Sequence, residues 1–448
     1  MNNRILLLLV VCGIAFSTQL FSQDEKKYIG AIQNESDVPE YTLPDLLTTF
    51  SGKKIKTVKT WENRRRPELI KFFEENIYGK IPTPAEPIKK TFRVLNVDTT
   101  FLEGLCTKKR VMVTLSNSKG AVRMNMVVFT PNHLKGPFPA IYMGHTNVDG
   151  NGPELTNPQR YGQLNMGAPI RQMMLRGIAL VASDTGGLVD GNKKDAEVLD
   201  GKIVDLFFQP GQTNTKNDEW GIMSIWAYSL SCGMDYLETD DDINSKQVAV
   251  LGCSVIGKTS LWAAALDQRF GMVLSATSGH GGDALWRRQF GETLDNMCEW
   301  LPRWIARNAQ KYKGKINEMP VDQHMLLACI APRPVFISSG QYDLWADGRG
   351  AYLGAYHAMP VYKMYGQNVA FKSEEQPKVN KTILKSAIGY EMRTAFHGLQ
   401  WEDWENYMKF MEYHFMKIEP RSTHEIYYPD NKLLDHYPYK LSDKHIVK

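Results

Sequence analysis

The spacing of apolar residues changes twice along this chain. In the first stretch, Trp61 to Tyr78, the residues Leu69, Ile70, Phe72, Phe73 and Ile77 recur at helical intervals, which predicts one amphipathic helix. Next, "RVMVTLS" and "VRMNMVVFT" form two strand-like runs joined by the turn-forming "NSKG", the pattern of a β-hairpin. Short, almost continuously apolar runs then take over: "FPAIYMGH", "GIALVASD", "QVAVLGCS", "MVLSATSG" and "RPVFISSG". Helical stretches such as Trp220 to Glu238 and Lys258 to Leu266 lie between them. A strand that is apolar on both faces needs cover on both faces. The alternation therefore predicts a mostly parallel central sheet between two helical layers, a three-layer α/β sandwich. A last helix, Glu402 to Phe415, carries Trp404, Tyr407, Met408, Met411 and Phe415 on one stripe and is assigned to the core.

The remaining segments set the domain plan. Arg4, the apolar run Ile5 to Phe16 and the more polar Ser17 to Gln23 have the layout of a secretory signal, and the run is too short to span a bilayer. Residues 1–22 are expected to be a signal peptide, leaving a secreted or periplasmic protein with no stable membrane insertion. Residues 23–90 are expected to form an N-terminal extension packed on the core. Residues 91–420 form the main α/β domain in this plan, and 421–448 a C-terminal tail. A chain of 448 residues, 43% hydrophobic, can bury one large core, and a monomer is expected. The 53 basic and 49 acidic residues are mixed without a long basic block, which argues against nucleic acid as a partner. Arg64, Arg65 and Arg66 read as the solvated start of a helix. After the leader, Cys106, Cys232, Cys253, Cys298 and Cys329 are scattered and show no C-x-x-C spacing, so neither a zinc site nor a disulfide framework is expected.

One strand-to-helix junction carries the sharpest chemical signal. In "QVAVLGCSVIGKTSLWAAALDQRF" an apolar strand, Val248 to Leu251, runs into Gly252-Cys253-Ser254, then Gly257 and a helix. A serine on such a turn projects its hydroxyl above the sheet. It also sits at a helix N-terminus, whose unpaired N–H groups suit an oxyanion. The spacing is G-x-S-x-x-G where the general motif has G-x-S-x-G. A serine hydroxyl becomes a nucleophile only when a base takes its proton. In an α/β-hydrolase the partners follow in the order Ser, acid, His, each in a loop after a later strand. "RPVFISSGQYDLWADGRG" offers Asp343 and Asp347 in one such loop, with Asp343 favoured because it lies nearer the strand end. "YEMRTAFHGLQWEDW" offers His397 just ahead of a helix, with Gly398 allowing a sharp loop.

These motifs resemble the glucuronoyl esterases of carbohydrate esterase family fifteen. The likeness rests on "GCSVIGKTSLWAAALDQRF", "SGHGGDALWRRQFGET", "MPVDQHMLLACIAPRPVFISSGQYDLWADGRG" and the "FHG" and "EDW" of the last loop and helix. It runs from about Leu43 to Phe415. Members hydrolyse the ester between 4-O-methyl-glucuronic acid on xylan and an alcohol of lignin. The resemblance implies an α/β-hydrolase fold, Ser254 as nucleophile and His397 as base, with Lys258, Glu292 and Trp345 in contact with the uronic sugar. Two positions depart from the family pattern. The residue after the serine is Val255 where members carry an oxyanion-stabilising arginine. Some members place their acid where this chain has Thr277, while others place it at the position of Asp343.

The expected reaction is acyl transfer in two halves, with Ser254 attacking the uronate carbonyl and His397 carrying the proton. Asp343 fixes the imidazole tautomer in this scheme. The oxyanion is expected to lie against the backbone N–H of Val255, with a second donor from the loop at Gly144, His145 and Thr146. No metal or organic cofactor is required. The partner implied is glucuronoxylan or a lignin-carbohydrate ester. Two rival expectations are an esterase acting on acetyl groups of xylan, and a carbohydrate-binding homologue weakened by the loss of arginine at position 255.

Overall fold

The computed structural model describes residues 31–145, 167–189 and 202–420. The expected signal peptide and C-terminal tail lie outside them. Nine strands form one sheet: β1 (Lys89–Phe101), β2 (Cys106–Asn117), β3 (Gly120–Pro131), β4 (Phe138–His145), β5 (Ala179–Asp184), β6 (Ile243–Cys253), β7 (Met272–Ala276), β8 (Val335–Gly340) and β9 (Ile388–Arg393). Their order across the sheet is β1-β2-β3-β5-β4-β6-β7-β8-β9. The first three strands are an antiparallel meander whose third member pairs antiparallel with β5. From β5 to β9 every pairing is parallel. The predicted hairpin is β2–β3, closed by the pair Asn117 and Gly120.

The apolar runs are continuous because successive side chains enter two separate cores. On β6, Val248 and Val250 join one cluster while Ala249 and Leu251 join the other. On β8, Val335 and Ile337 face the first and Phe336 the second. Period-two side-chain alternation thus feeds both faces of the sheet. The first face is covered by helices Ile222–Leu237, Val255–Leu266, Gln323–Ala328 and Gly348–Met364, which supply Leu230, Trp262, Leu326 and Tyr362 to that cluster. The second is covered by helices Ile170–Leu175 and Trp401–Met411, which supply Met173, Met174, Trp404, Tyr407, Met408 and Met411. These are the three layers of the α/β-hydrolase sandwich.

Residues 31–88 add no strand to the sheet and pack on its first face. A continuous helical stretch, 58–78, starts on a Thr57–Thr60 capping box, slightly ahead of the expected start at Trp61. Leu69, Phe73, Ile77 and Tyr78 are buried, and Tyr78 stacks on Trp262 with ring centroids 4.6 Å apart. The reading of three solvated arginines is corrected here. Arg64 alone is exposed. Arg65 is buried, donating to the carbonyls of Asp45 and Leu46 and pairing with Glu68 at 2.7 Å. Arg66 donates to the carbonyls of Cys329 and Ala265. The Arg65 guanidinium thus ties the N-terminal segment together, and that of Arg66 fastens it to the main domain through backbone oxygens. The five cysteines named above are free and buried. No described helix is long and apolar enough to cross a membrane.

Candidate active site

Strand β6 ends at Cys253, and the next residue turns directly into helix Val255–Leu266. Ser254 takes φ 56° and ψ −129° to make that turn, a conformation that costs a non-glycine residue on the order of 1–3 kcal/mol. The flanking glycines explain why the motif is tolerated. A Cβ at Gly252 would lie 2.1 Å from the carbonyl oxygen of Ile256. A Cβ at Gly257 would lie 2.0 Å from Ser278 Oγ and 3.0 Å from the carbonyl oxygen of Gly252. The first helical turn therefore folds back onto the strand end, and the longer G-x-S-x-x-G spacing follows from that contact. Val255 is the first helical residue, so its N–H has no acceptor within the helix and faces the serine end. Gly144, at the end of the neighbouring β4, lies so close that a Cβ there would be 3.4 Å from Ile256. His145 has no described side chain, and Thr146 lies outside the described residues.

The acid and the histidine leave the same edge of the sheet. Because β6, β7, β8 and β9 are parallel neighbours, their C-terminal ends are adjacent and their loops are laced together. Ser254 N–H donates to Ala276 O at 2.9 Å, Thr277 N–H to Ser338 O at 2.8 Å, and Gln341 N–H to Arg393 O at 2.8 Å. Asp343 is buried just beyond β8. One of its carboxylate oxygens accepts from Ala346 N–H, and the other lies 2.6 Å from His397 Nδ1. A carboxylate holding Nδ1–H leaves Nε2 as the free acceptor. Arg393 pairs with Asp403 at 2.8 Å and donates to Gly398 O, the carbonyl next to His397, so the imidazole loop is anchored from below. No hydrogen bond joins the Ser254 hydroxyl to His397 in this structure. In resting hydrolases this contact is commonly long and tightens with substrate.

Asp347 has a different occupation. It caps helix Gly348–Met364 through Gly350 N–H at 2.9 Å and pairs with Arg288 at 2.8 Å. His280 lies 3.4 Å from the same carboxylate. Against the pull of burial, the His280 hydrogen bond and the Arg288 guanidinium hold its carboxyl below the usual carboxylate range. Thr277, at the end of β7, is buried, and its hydroxyl lies 3.4 Å from Cys253 Sγ. Ser254 and Thr277, non-glycine residues with positive φ, each directly follow a strand end at this edge, and Asp347, also at positive φ, ends the short helix Leu344–Ala346 beyond β8.

A second cluster lies beside the elbow. Lys258, one turn into the nucleophile helix, is almost fully buried. Its Nζ donates to Ser278 O at 2.5 Å, His280 O at 2.6 Å and Glu292 Oε2 at 2.7 Å. An ammonium has three protons, so all are committed. In this structure the side chain reaches a sugar hydroxyl by exchanging one of these acceptors. Glu292 keeps its other oxygen without a hydrogen-bond partner among the described residues, and its N–H donates to Trp345 O at 3.0 Å. Trp345 is largely buried and stacks on Trp300, 5.9 Å away and 10° from parallel. Trp300 is 45% exposed. No pattern along the chain points to it, because a single tryptophan ending a short helix has no periodic partner.

Strand order, the elbow at residue 254 and the placing of the acid and histidine loops are those of an α/β-hydrolase. Within that class the chain belongs to the glucuronoyl esterase family. The family described as "Glucuronyl esterase, fungi" matches residues 113–366, more than half of the chain. A carbohydrate esterase, MZ0003, from an unknown prokaryotic organism is 35% identical over 408 residues, 85% of this chain and 91% of that one. The structure of a glucuronoyl esterase from Solibacter usitatus superposes with a TM-score of 0.74 at 31% identity, covering 84% of this chain and 99% of the other. A 4-O-methyl-glucuronoyl methylesterase of Hypocrea jecorina is 23% identical over 391 residues, covering 81% of this chain and 75% of its own length.

Proposed function

We propose that this chain is a secreted or periplasmic serine esterase that cleaves the ester of 4-O-methyl-glucuronic acid on glucuronoxylan. The observation that carries the reading is the 2.6 Å contact between Asp343 and His397 Nδ1, one strand-end loop apart, on the edge where Ser254 stands on its strained turn. With Nδ1–H held, Nε2 takes the Ser254 proton as the oxygen attacks the uronate carbonyl. The oxyanion lies against the Val255 N–H at the start of the helix, with a second donor from the end of β4. His397 then returns the proton to the leaving alcohol, and a water activated the same way releases the acid. Glu292, oriented by Lys258, accepts from a sugar hydroxyl, and the Trp345–Trp300 pair offers an aromatic face to a pyranose. The family to which the chain belongs supports the uronate as the acyl part.

Ser254→Ala tests this reading. The purified variant is expected to lose at least about 10⁴-fold of turnover on methyl glucuronate and to resist labelling by a fluorophosphonate. Retained turnover in a folded variant refutes the assignment.

A further inference from the structure

The loop that carries Glu292 is held between two other segments. On one side Glu292 N–H donates to Trp345 O at 3.0 Å. Gly291 approaches that side so closely that a Cβ would lie 2.3 Å from Leu344 O and 2.6 Å from Trp345 O. On the other side Gly291 N–H donates to Ile32 O at 2.8 Å, and Ile32 bridges Phe290 in parallel. Successive N–H groups thus point to opposite neighbours, as they do in the middle strand of a sheet. One buried guanidinium joins the two outer segments a second time. Arg288 holds Asp347 through Nε at 2.8 Å and Nη2 at 3.2 Å. The other edge of the same fork holds Glu35, through Nη1 at 2.9 Å and Nη2 at 2.7 Å. Arg349, in the first turn of helix Gly348–Met364, adds a bond from Nε to Glu35 Oε1 at 2.8 Å. The Arg288 side chain is 2% exposed and that of Glu35 is 51% exposed, so the Glu35 carboxylate closes this network from the solvent side.

We propose that Glu35 is a positioning residue for uronate binding: it clamps the 288–292 loop against residues 344–349, so that Glu292 and Trp345 stand at a fixed spacing for the sugar. The inference rests on the sugar-contact roles proposed above for those two side chains and extends the site to the N-terminal segment. Glu35 acts through Arg288 and Arg349. A carboxylate held by both arms of a guanidinium fixes orientation as well as distance. Groups that contact a ligand keep their geometry only when the side chains behind them are locked. Burial raises the Glu35 carboxyl, but the hydrogen bond and charge of Arg288 prevail and hold it below its ordinary value, so the clamp is charged at neutral pH. Removing that carboxylate leaves Arg288 paired with Asp347, and the buried charge stays compensated. What is lost is the outer hold on the loop. The contacts of Asp343 with His397 and Ala346 N–H do not pass through the clamp, so proton transfer is spared.

The test measures kcat and KM for methyl glucuronate in the full protein and in Glu35→Ala, at low salt and at about 1 M salt. Expected for the variant at low salt is a KM raised about three- to fivefold with kcat within about twofold, the sign of binding lost equally from substrate and transition state. A merely structural defect removes active molecules, which lowers kcat and leaves KM where it was, so an unchanged KM overturns the clamp. Salt gives the second readout. The ester is uncharged, and the half-exposed Glu35 is open to screening while the buried pair of Lys258 and Glu292 is far less so. The wild-type KM is expected to rise with salt toward that of the variant, whose own KM stays level. An equal response to salt in both proteins overturns the proposal. If Glu35→Ala does not fold, Arg349→Gln leaves Arg288 fully paired and is expected to raise KM about twofold, as suits one half-exposed ion pair. An unchanged KM in that variant overturns the clamp. A wild type inert to the ester overturns the esterase reading and the clamp with it. An active wild type whose variant keeps its KM overturns the clamp alone.

Discussion

Val255 stands where the resemblance to the family implies an oxyanion-stabilising arginine. Its backbone N–H stands at the helix start, but its side chain is apolar and half-buried against the core. One lost oxyanion donor costs on the order of 3 kcal/mol, a hundredfold or more in rate. Val255→Arg is accordingly expected to raise kcat on a glucuronate ester by about tenfold or more, with KM little changed. Steady-state kinetics on the folded variant decide the point, and an unaltered kcat would show that the oxyanion is already fully served by backbone donors. At this scale the sequence was informative where chemistry dictates order. Ser254 and His397, and an acid in the loop holding Asp343 and Asp347, could be read from the Ser-acid-His succession. It was silent where the partners come from distant segments. Nothing near Arg65 in the chain announces the carbonyls of Asp45 and Leu46, and nothing near Lys258 announces those of Ser278 and His280.

Elements were legible in proportion to how uniformly they are buried. Strands β4 to β8 show unbroken apolar runs because both faces are covered, and all five are readable. Strand β1 is not: its residues alternate between exposed and half-buried, since it forms the outer edge of the sheet. Strand β9 hides for the opposite reason. It is deeply buried but carries Glu391 and Arg393, whose partners include Asn406 and Asp403 from the following helix. Helix Gly348–Met364 contains three glycines and Pro360, a composition that argues against a helix on propensity. Its Gly354 is required by the close approach of Asp283, whose carbonyl oxygen would lie 2.2 Å from a Cβ. The same kind of contact makes the nucleophile elbow a sensitive element. Gly252→Ala sets a Cβ against the backbone of Ile256 and Gly257, which cannot move without moving Ser254. Expected is a loss of at least about tenfold in kcat, beyond the ~1 kcal/mol that helix or strand propensity alone ascribes to a glycine. A variant with wild-type kcat would mean that the turn relaxes freely.

Over the whole molecule, one buried carboxyl has consequences for stability. Asp283 is enclosed between Ser275, which donates at 2.7 Å, and Gly279 N–H at 3.1 Å, with Lys258 nearby. Burial pushes its pKa up to about 6 from 3.8, against the opposing pull of these partners. A group protonated more readily when folded adds stability that is complete below pH 3.8 and is lost as the pH rises through about 6. The loss amounts to about 3 kcal/mol at 1.36 kcal/mol per unit. Asp283→Asn, which mimics the neutral acid, is expected to match the wild type near pH 4 and to exceed it by roughly that amount at pH 7. Urea unfolding at the two pH values measures the difference. A variant weaker than wild type at pH 7 would show that the fold stabilises the Asp283 carboxylate and does not raise its pKa.

The chain by itself determined the class of fold and the order of the reacting groups. Both follow from local constraints: apolar runs that demand cover on two faces, and a serine turn that tolerates only small neighbours. Tertiary structure alone decided which aspartate meets the histidine, since Asp343 and Asp347 share one loop and only packing sends the second to Arg288. It also decided that the Lys258 ammonium is fully occupied. Those outcomes depend on strands far apart in sequence ending at one edge of a parallel sheet, and no local pattern encodes that proximity.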